Sequence, residues 1–336
     1  MIQFSHMDNQ NNTYKEIWDT MMGADNIVLA AHVRPDLDSI SSCLALEYVL
    51  NRNGKSVTVL STDRLGYIQE ILDTSKIILQ DPDEFDFSNT DLYIGPDIAE
   101  EFRISHNRNF KAPVTSIKID HHPNSSYWGN MNYVDTESAS TTVIIYNMLQ
   151  NIGEPIDEKL ATILLSGLLG DTGFFQYDNV RPQDLKMATD LMEKGANLFQ
   201  LQWDMKFHDD FKLFKLKEMV YKNLKMDWGK KYAYSHITLA EKATIDIDPH
   251  YRHMTLADLI KTLDGVHFVW TVIELHNGKF KVSFRAHTPG FDTTIFSRDL
   301  GGGGHFAASA AELDAKTIGE AIEIIKNTIS SVPYQI

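Results

Sequence analysis

A single cysteine, Cys43, in 336 residues excludes an internal disulfide and any cysteine-rich metal site. It suits a reducing compartment, and its expected role is packing. No apolar stretch reaches the roughly 20 residues needed to span a bilayer, so no membrane segment is expected. Met1 to Thr13 is polar and lacks a basic flank followed by an apolar core. It therefore does not read as a secretory signal, and the cytoplasm is the expected location. Basic residues are in deficit, with 31 Lys and Arg against 46 Asp and Glu and a formal charge of −15. That balance argues against a broad grip on long duplex nucleic acid, which needs many cations against the backbone, and favours short substrates. Much of the surplus acid would serve solubility. Internal repeats and low-complexity segments are missing too. What remains, 43% hydrophobic and 23% charged residues, is the composition of a soluble globular protein. The length suits two domains, each with a core of its own.

The pattern along the chain is α/β. Asn26 to Ala31 is an apolar run of strand length, Ser39 to Leu50 carries apolar residues at helical spacing, and Lys55 to Leu60 supplies a second strand. Asp91 to Gly95 and Val114 to Ile119 read as further strands, each followed at once by polar residues able to bind a ligand. Helices are expected over Ser140 to Gln150, Asp157 to Leu169 and Pro182 to Gly195. The amphipathic stretch Asp210 to Lys225 reads as a connector. Beyond it Lys231 to Thr238, Val266 to Leu275 and Lys279 to Arg285 alternate like strands, with Asn277-Gly278 as a tight hairpin turn. The expected organisation is a mainly parallel-sheet domain with flanking helices over residues 1–195, a connector over 196–225, and a smaller α+β domain over 226–336.

Three short clusters stand at the ends of apolar runs: His32 with Asp36 and Asp38, Asp120-His121-His122, and Asp171-Thr172-Gly173. Asp97 follows another strand. A parallel sheet delivers such residues into one crevice at its carboxyl edge. Four carboxylates gathered there could not all stay ionised, because like charges at close range drive protonation, and two divalent cations would cancel them. Carboxylate and imidazole ligands without thiolate suit Mn²⁺ best, with Mg²⁺ or Co²⁺ as alternatives. A carboxylate bridging two cations about 3.5–4 Å apart would serve in-line attack of water on phosphorus.

These clusters resemble those of the DHH phosphoesterase superfamily, with Asp120-His121-His122 as the eponymous triplet, and the likeness covers nearly the whole chain. A second signature, Gly301-Gly302-Gly303-Gly304-His305 followed by Ala307-Ala308 and preceded by Val282-Ser283-Phe284-Arg285, resembles the substrate-binding C-terminal domain of the nanoRNase and pAp-phosphatase branch. The resemblance implies one metal on His32, Asp36 and Asp97 and a second on Asp38, Asp97, His121 and Asp171, with Asp97 as the bridge. It implies that Asp120 orients His121 and that His122 meets the scissile phosphate or helps the leaving group. Arg285, His305 and the loop of Gly302, Gly303 and Gly304 would grip the substrate. The implied substrates are 3′-phosphoadenosine 5′-phosphate (pAp), oligoribonucleotides of a few residues, and linear or cyclic di-adenylate, bound in a cleft between two domains. A homodimer is a further implication. The rivals are an inorganic pyrophosphatase, which shares the N-terminal motifs, and a nucleotide sensor that keeps the metal site for binding only.

Each motif has a plainer reading. Four glycines could be a mobile hinge, but they also let a ligand approach backbone amides closely, and Ala307 to Leu313 could start a helix whose N-terminus favours an anion. Arg285 could make a surface ion pair, and Asp97 could cap a helix. Asp135, Ser138, Ser140 and Thr141 are expected to initiate the helix near Ser140. Phe174, Phe175 and Tyr177 are expected in the core, Trp128 in local packing, and His106, His208, His250, His253 and His287 on the surface. The pattern departs from the family at Ser41, Val143 and Ser309; every metal-ligand position is intact, so the departures bear on substrate choice.

Overall fold

A computed structural model of the chain describes residues 11–123, 125–207, 211–245, 256–275 and 277–334. It divides into two compact units, Met1–Phe207 and His208–Ile336. In the first unit, α1 (Tyr14–Gly23) leads into β1 (Asn26–Ala30), α2 (Leu37–Arg52), β2 (Ser56–Ser61), α3 (Ile68–Ile71), β3 (Ile78–Leu79), β4 (Leu92–Pro96), β5 (Thr115–Asp120) and β6 (Met131–Val134). Four helices follow: α4 (Thr141–Ile152), α5 (Glu158–Asp171), α6 (Pro182–Glu193) and α7 (Leu198–Lys206). The six strands form a parallel sheet in the order β3-β2-β1-β4-β5-β6. β1 and β4 are buried along nearly their whole length, which is why they read as unbroken apolar runs rather than alternating ones. The larger core holds β-strand residues such as Leu29 and Ile117 against α2, α4 and α5, while Val28, Tyr93 and Ile104 form a smaller core.

This strand order fixes where a site can form. The chain runs outward through β2 and β3 on one side of β1 and through β4, β5 and β6 on the other. The loops leaving β1 and β4 therefore diverge and open a crevice at their carboxyl ends. His32 and Asp97 lie on those two loops.

The second unit contains α8 (Phe211–Lys222), β7 (Lys225–Asp227), β8 (Tyr232–Ile237), α9 (Leu239–Lys242), β9 (Phe268–Glu274), β10 (Lys279–Ala286), α10 (Thr294–Asp299), β11 (Gly303–His305), β12 (Ala308–Asp314) and α11 (Ile318–Ser331). Its mixed sheet has the order β11-β12-β10-β9-β8-β7, with β8 and β9 parallel and the other pairs antiparallel. Gly278, at φ 75°, turns β9 into β10 as the Asn-Gly pair anticipates. The residues read as a connector, 196–225, divide between the units, with α7 in the first and α8 in the second; Asp210 lies outside the described residues.

One expected element is overturned. Ala307 to Leu313 does not open a helix: Ala308–Asp314 is strand β12, paired with β10 from Ala308↔Arg285 to Asp314↔Lys279. Alanine favours helix locally, but seven residues of ladder pairing and burial of Ala311 and Leu313 outweigh that preference. No helix N-terminus follows the glycine run. Among the described residues, no helix is long and apolar enough to cross a membrane.

Candidate metal centre

Six of the expected ligands converge in the first unit. Ligand atoms of His32, Asp36 and Asp97 lie within 4.8 Å of one another, as do those of Asp38, His121 and Asp171, and those of Asp97, His121 and His122. Asp97 thus belongs to two of the three groups. His32 Nε2 is 3.5 Å from both Asp36 Oδ2 and Asp97 Oδ2. His121 Nε2 is 3.0 Å from Asp171 Oδ2 and 3.5 Å from Asp97 Oδ1.

Different local devices aim each group. Asp36 caps α2, its Oδ1 accepting from Ser39 N at 3.0 Å, so the capping role considered for Asp97 falls to Asp36 and leaves its second oxygen for His32. Asp97 instead adopts φ 62° directly after β4, with its N–H donated to the Ile119 carbonyl at 2.8 Å. A non-glycine residue is strained in this region and persists only where its surroundings hold it, as at functional sites. Asp171 is the last residue of α5, so a helix delivers it rather than a strand.

Asp38 is wholly buried. Its carboxylate accepts from Thr141 N at 2.7 Å, Thr142 N at 3.1 Å and Thr142 Oγ1 at 2.9 Å, at the N-terminus of α4. The Thr141 hydroxyl donates to Asp97 Oδ1 at 3.0 Å. Ser140 does initiate that helix, accepting from Val143 N. Its next two residues, however, hold two of the candidate ligands, a role that helix initiation alone does not suggest. Gly167 on α5 makes room: a Cβ there would lie 2.5 Å from Thr142 Cγ2 and 2.8 Å from Asp38 Oδ1. Asp135 does not cap α4; it accepts from Glu137 N and Ser138 Oγ in the preceding loop.

Asp120 corrects another expectation. Its Oδ1 accepts from His122 Nδ1 at 2.8 Å, so it orients His122 and not His121. Burial alone would raise its pKa, but hydrogen bonds from His122 and Ser125 and the nearby Lys118 ammonium hold the carboxyl well below the usual range. His121 instead turns its Nε2 to Asp171 and Asp97. Arg103, which the spacing of the motifs does not single out, places Nη2 3.1 Å from His32 Nδ1.

The donor set fits divalent cations. His32 Nδ1 lies between the Val33 carbonyl at 3.0 Å and Arg103 Nη2, and its Nε2 faces Asp36 and Asp97. Among the described residues, His121 Nε2 is buried without a hydrogen-bond partner despite its nearness to Asp171. Burial, then the charges of Asp171 and Asp97, push Asp38 well above the ordinary carboxyl value. Burial, with Asp36 and Asp97, carries Asp171 up to about 6 against the pull of His121. Burial disfavours a His32 cation, yet Asp36 and Asp97 raise it to about 10. Without a metal the cluster thus gathers protons to offset its own negative charge.

In the second unit Arg285 does form the ion pair weighed for it, Nε to Asp258 Oδ1 at 3.1 Å. The glycine run has a structural cause: a Cβ on Gly302 would lie 2.1 Å from the Ala310 carbonyl oxygen and one on Gly304 2.6 Å from that of Ala308, whereas one on Gly303 would meet nothing. The first two let β11 press onto β12. The His305 side chain lies outside the described residues, as do His208, His250 and His253. Ser309 stands against Gly304 and donates to the Thr293 carbonyl, Ser41 bonds Ser166 across α2 and α5, and Val143 is core. Phe174 and Phe175 pack on the core, but Tyr177 is exposed. Trp128 packs locally, donating to the Ile98 carbonyl. His106 is exposed, whereas His287 is half-buried and bonded to the Lys261 carbonyl.

Comparisons with known proteins agree with this arrangement. The family model described as DHH family, N-terminal domain, matches residues 26–168, and the DHHA1 domain matches residues 251–331. A probable bifunctional oligoribonuclease and PAP phosphatase NrnA from Streptococcus mutans is 28% identical over 302 residues, covering 89% of this chain and 93% of its own. The bifunctional oligoribonuclease and PAP phosphatase NrnA of Bacillus subtilis is 26% identical, covering 89% and 92%. Among solved structures, an exopolyphosphatase-related protein from Bacteroides fragilis superposes with a TM-score of 0.87 at 22% identity, covering 95% of each chain, a likeness of fold. With both domain models matched in order and the triplet seated in the acidic crevice, the chain belongs to the DHH phosphoesterase superfamily, in its nanoRNase and pAp-phosphatase branch.

Proposed function

We propose that this chain is a divalent-cation-dependent phosphoesterase that hydrolyses short nucleotides: pAp, oligoribonucleotides of a few residues, or linear or cyclic di-adenylate. The observation that carries the reading is the convergence of His32, Asp36, Asp38, Asp97, His121 and Asp171 at the carboxyl edge of one parallel sheet. The names of the Streptococcus and Bacillus relatives, oligoribonuclease and PAP phosphatase, support the substrate class.

In this reading residues 1–195 are the catalytic domain and 226–336 the substrate-binding domain. His32, Asp36 and Asp97 hold one cation, and Asp38, Asp97, His121 and Asp171 a second, Mn²⁺ in preference to Mg²⁺ or Co²⁺ because imidazole ligands are present. When bound, the pair supplies Lewis acidity and a lowered pKa for water. The chain does the rest. Thr141 and Thr142 hold Asp97 and Asp38 in place. His122, fixed through Nδ1 by Asp120, has Nε2 with which to hold or give a proton at the leaving oxygen. Arg285, Gly302, Gly303, Gly304 and His305 grip the terminal phosphate and nucleotide. The enzyme acts in the cytoplasm as a homodimer, on neither long duplexes nor membranes.

The test is a substrate panel with Mn²⁺: pAp, pApA, a short RNA, cyclic di-adenylate and pyrophosphate. Release of phosphate or mononucleotide, abolished in a folded Asp97→Ala variant, is expected. Turnover of pyrophosphate alone would overturn the substrate class, and cation binding with no turnover of any substrate would make the protein a sensor.

A further inference from the structure

Lys118 lies in the middle of β5, paired with Gly95 of β4 on one side and Asn132 of β6 on the other, and its side chain is wholly buried. A buried ammonium is costly unless it is fully hydrogen-bonded. Here all three N–H groups have oxygens: the Ala99 carbonyl at 2.7 Å, the Ser126 carbonyl and the Ser125 hydroxyl, with Asp120 Oδ2 3.4 Å away. We propose that Lys118 is a positioning residue that locks the loop bearing His121 and His122 to the turn bearing Asp97. The proposal deepens the phosphoesterase reading and rests on it.

The two arms of the network end at Asp97 and at His122, whose Oδ1 and Nδ1 lie 3.7 Å apart in the candidate centre. Ala99 is two residues past Asp97, whose left-handed backbone needs an external hold. The Ala99 carbonyl accepts from Lys118 and also from Ser126 N at 3.0 Å, and the adjacent Ile98 carbonyl accepts from Trp128 Nε1 at 2.9 Å. On the other arm Ser125 accepts from Lys118 and donates to Asp120 Oδ2, while Asp120 Oδ1 takes the Nδ1 proton of His122. Strand pairing aligns β4 and β5 only as far as Pro96↔Ile119. Beyond that point the Asp97 N–H still bonds the Ile119 carbonyl, and the Lys118 ammonium joins the Ser126 amide and the Trp128 indole in cross-linking the two loops. Gly95 lets the Trp128 ring lie across the site, since a Cβ there would meet it at 2.6 Å, and that ring screens the ammonium from water.

The test compares the full chain, with Mn²⁺ and pAp, against Lys118→Met, Ser125→Ala, Asp120→Asn and the Lys118→Met/Asp120→Asn double variant. A fall in kcat of about 10- to 100-fold with little change in KM is expected for Lys118→Met and Ser125→Ala. The double variant should lose no more than Asp120→Asn, because both changes act through one network. Nitrogen NMR of the His122 ring, which needs no turnover, should pass from the Nδ1-protonated form to a tautomer mixture in Lys118→Met and Ser125→Ala. Folded variants with wild-type kcat and an unchanged His122 tautomer, or additive losses in the double variant, would overturn the proposal. If Lys118→Met does not fold, Ser125→Ala decides by the same readouts, since it leaves Lys118 bonded to Ala99 and Ser126. A wild-type chain that turns over no substrate would refute the phosphoesterase reading, and the tautomer measurement would still judge Lys118.

Discussion

Binding of Mn²⁺ to this chain should release protons, and the affinity should rise steeply with pH. In the metal-free cluster burial disfavours a His32 cation, but Asp36 and Asp97 raise its pKa from 6.5 to about 10, and Asp171 likewise raises His121 well above the ordinary value. The His32 ring is therefore protonated at neutral pH, and His121 is pushed the same way, the rings standing in for cations among the carboxylates. A metal needs their lone pairs, so each bound ring gives up one proton. Each proton displaced from a group whose pKa lies above the working pH makes the affinity about tenfold greater per pH unit, or about 1.4 kcal/mol. His32 alone predicts about a tenfold tighter Kd at pH 8 than at pH 7, and His121, raised in the same direction, adds to that dependence. Asp171, raised to about 6 by burial and its neighbours, adds protons to be displaced only at lower pH. Isothermal titration calorimetry at both pH values, in two buffers of different ionisation enthalpy, counts the protons directly. Asp97→Asn removes a donor common to two of the clustered groups and should abolish most of the binding. An affinity that does not change with pH, with no proton released, would refute the picture of a cluster that stores protons in place of metals.

The same shifts set the stability of the metal-free protein. Asp171 is raised from 3.8 to about 6, so the folded state binds the extra proton and loses that stabilisation as pH climbs through this window. His32 is raised from 6.5 to about 10, so its contribution is complete below 6.5 and is lost as pH rises through the folded value. Both signs agree: in chelator the Tm of the first unit should fall from pH 6.5 to pH 9, and saturating Mn²⁺, at about 100 times Kd, should restore about 2.7 kcal/mol. Gly302→Ala, whose Cβ would meet the Ala310 carbonyl oxygen at 2.1 Å, should disrupt the β11–β12 edge and lower the second unit's Tm, while Gly303→Ala, which meets nothing, should leave Tm unchanged; equal effects would count against the observed pairing. Thr142→Val removes the hydroxyl bonded to Asp38 at 2.9 Å and should weaken Mn²⁺ binding about 10- to 100-fold, read by the same calorimetry.

Much of the candidate site is legible in the order of residues. Apolar runs followed at once by Asp or His identify the strand tips, because a parallel strand buried on both faces must be apolar until it leaves the sheet. The Asn277-Gly278 pair locates its hairpin because φ above zero is inexpensive there. Other features are hidden. Ala308–Asp314 has the composition of a helix and becomes a strand only because β10 and β11 offer pairing on both sides. Thr141 and Thr142 resemble simple helix initiation, and only the approach of α2 shows that they carry Asp38. Lys118 does leave a trace, a lone charge inside an apolar strand, but its meaning depends on carbonyls supplied by residues 99 and 126.

By itself, then, the amino-acid order determined which side chains could bind metal and, for His32, Asp97 and His121, which strands they would follow, since periodicity and residue chemistry are local properties. Tertiary structure alone decided that Asp120 serves His122 and not His121, that Asp36 both caps a helix and faces His32, and that Gly167 clears the space in which Asp38 is buried. The space beside Asp38 exists only after α2 and α5 have packed together, and the two local contacts exist only once the loops after β1 and β5 have taken their folded course.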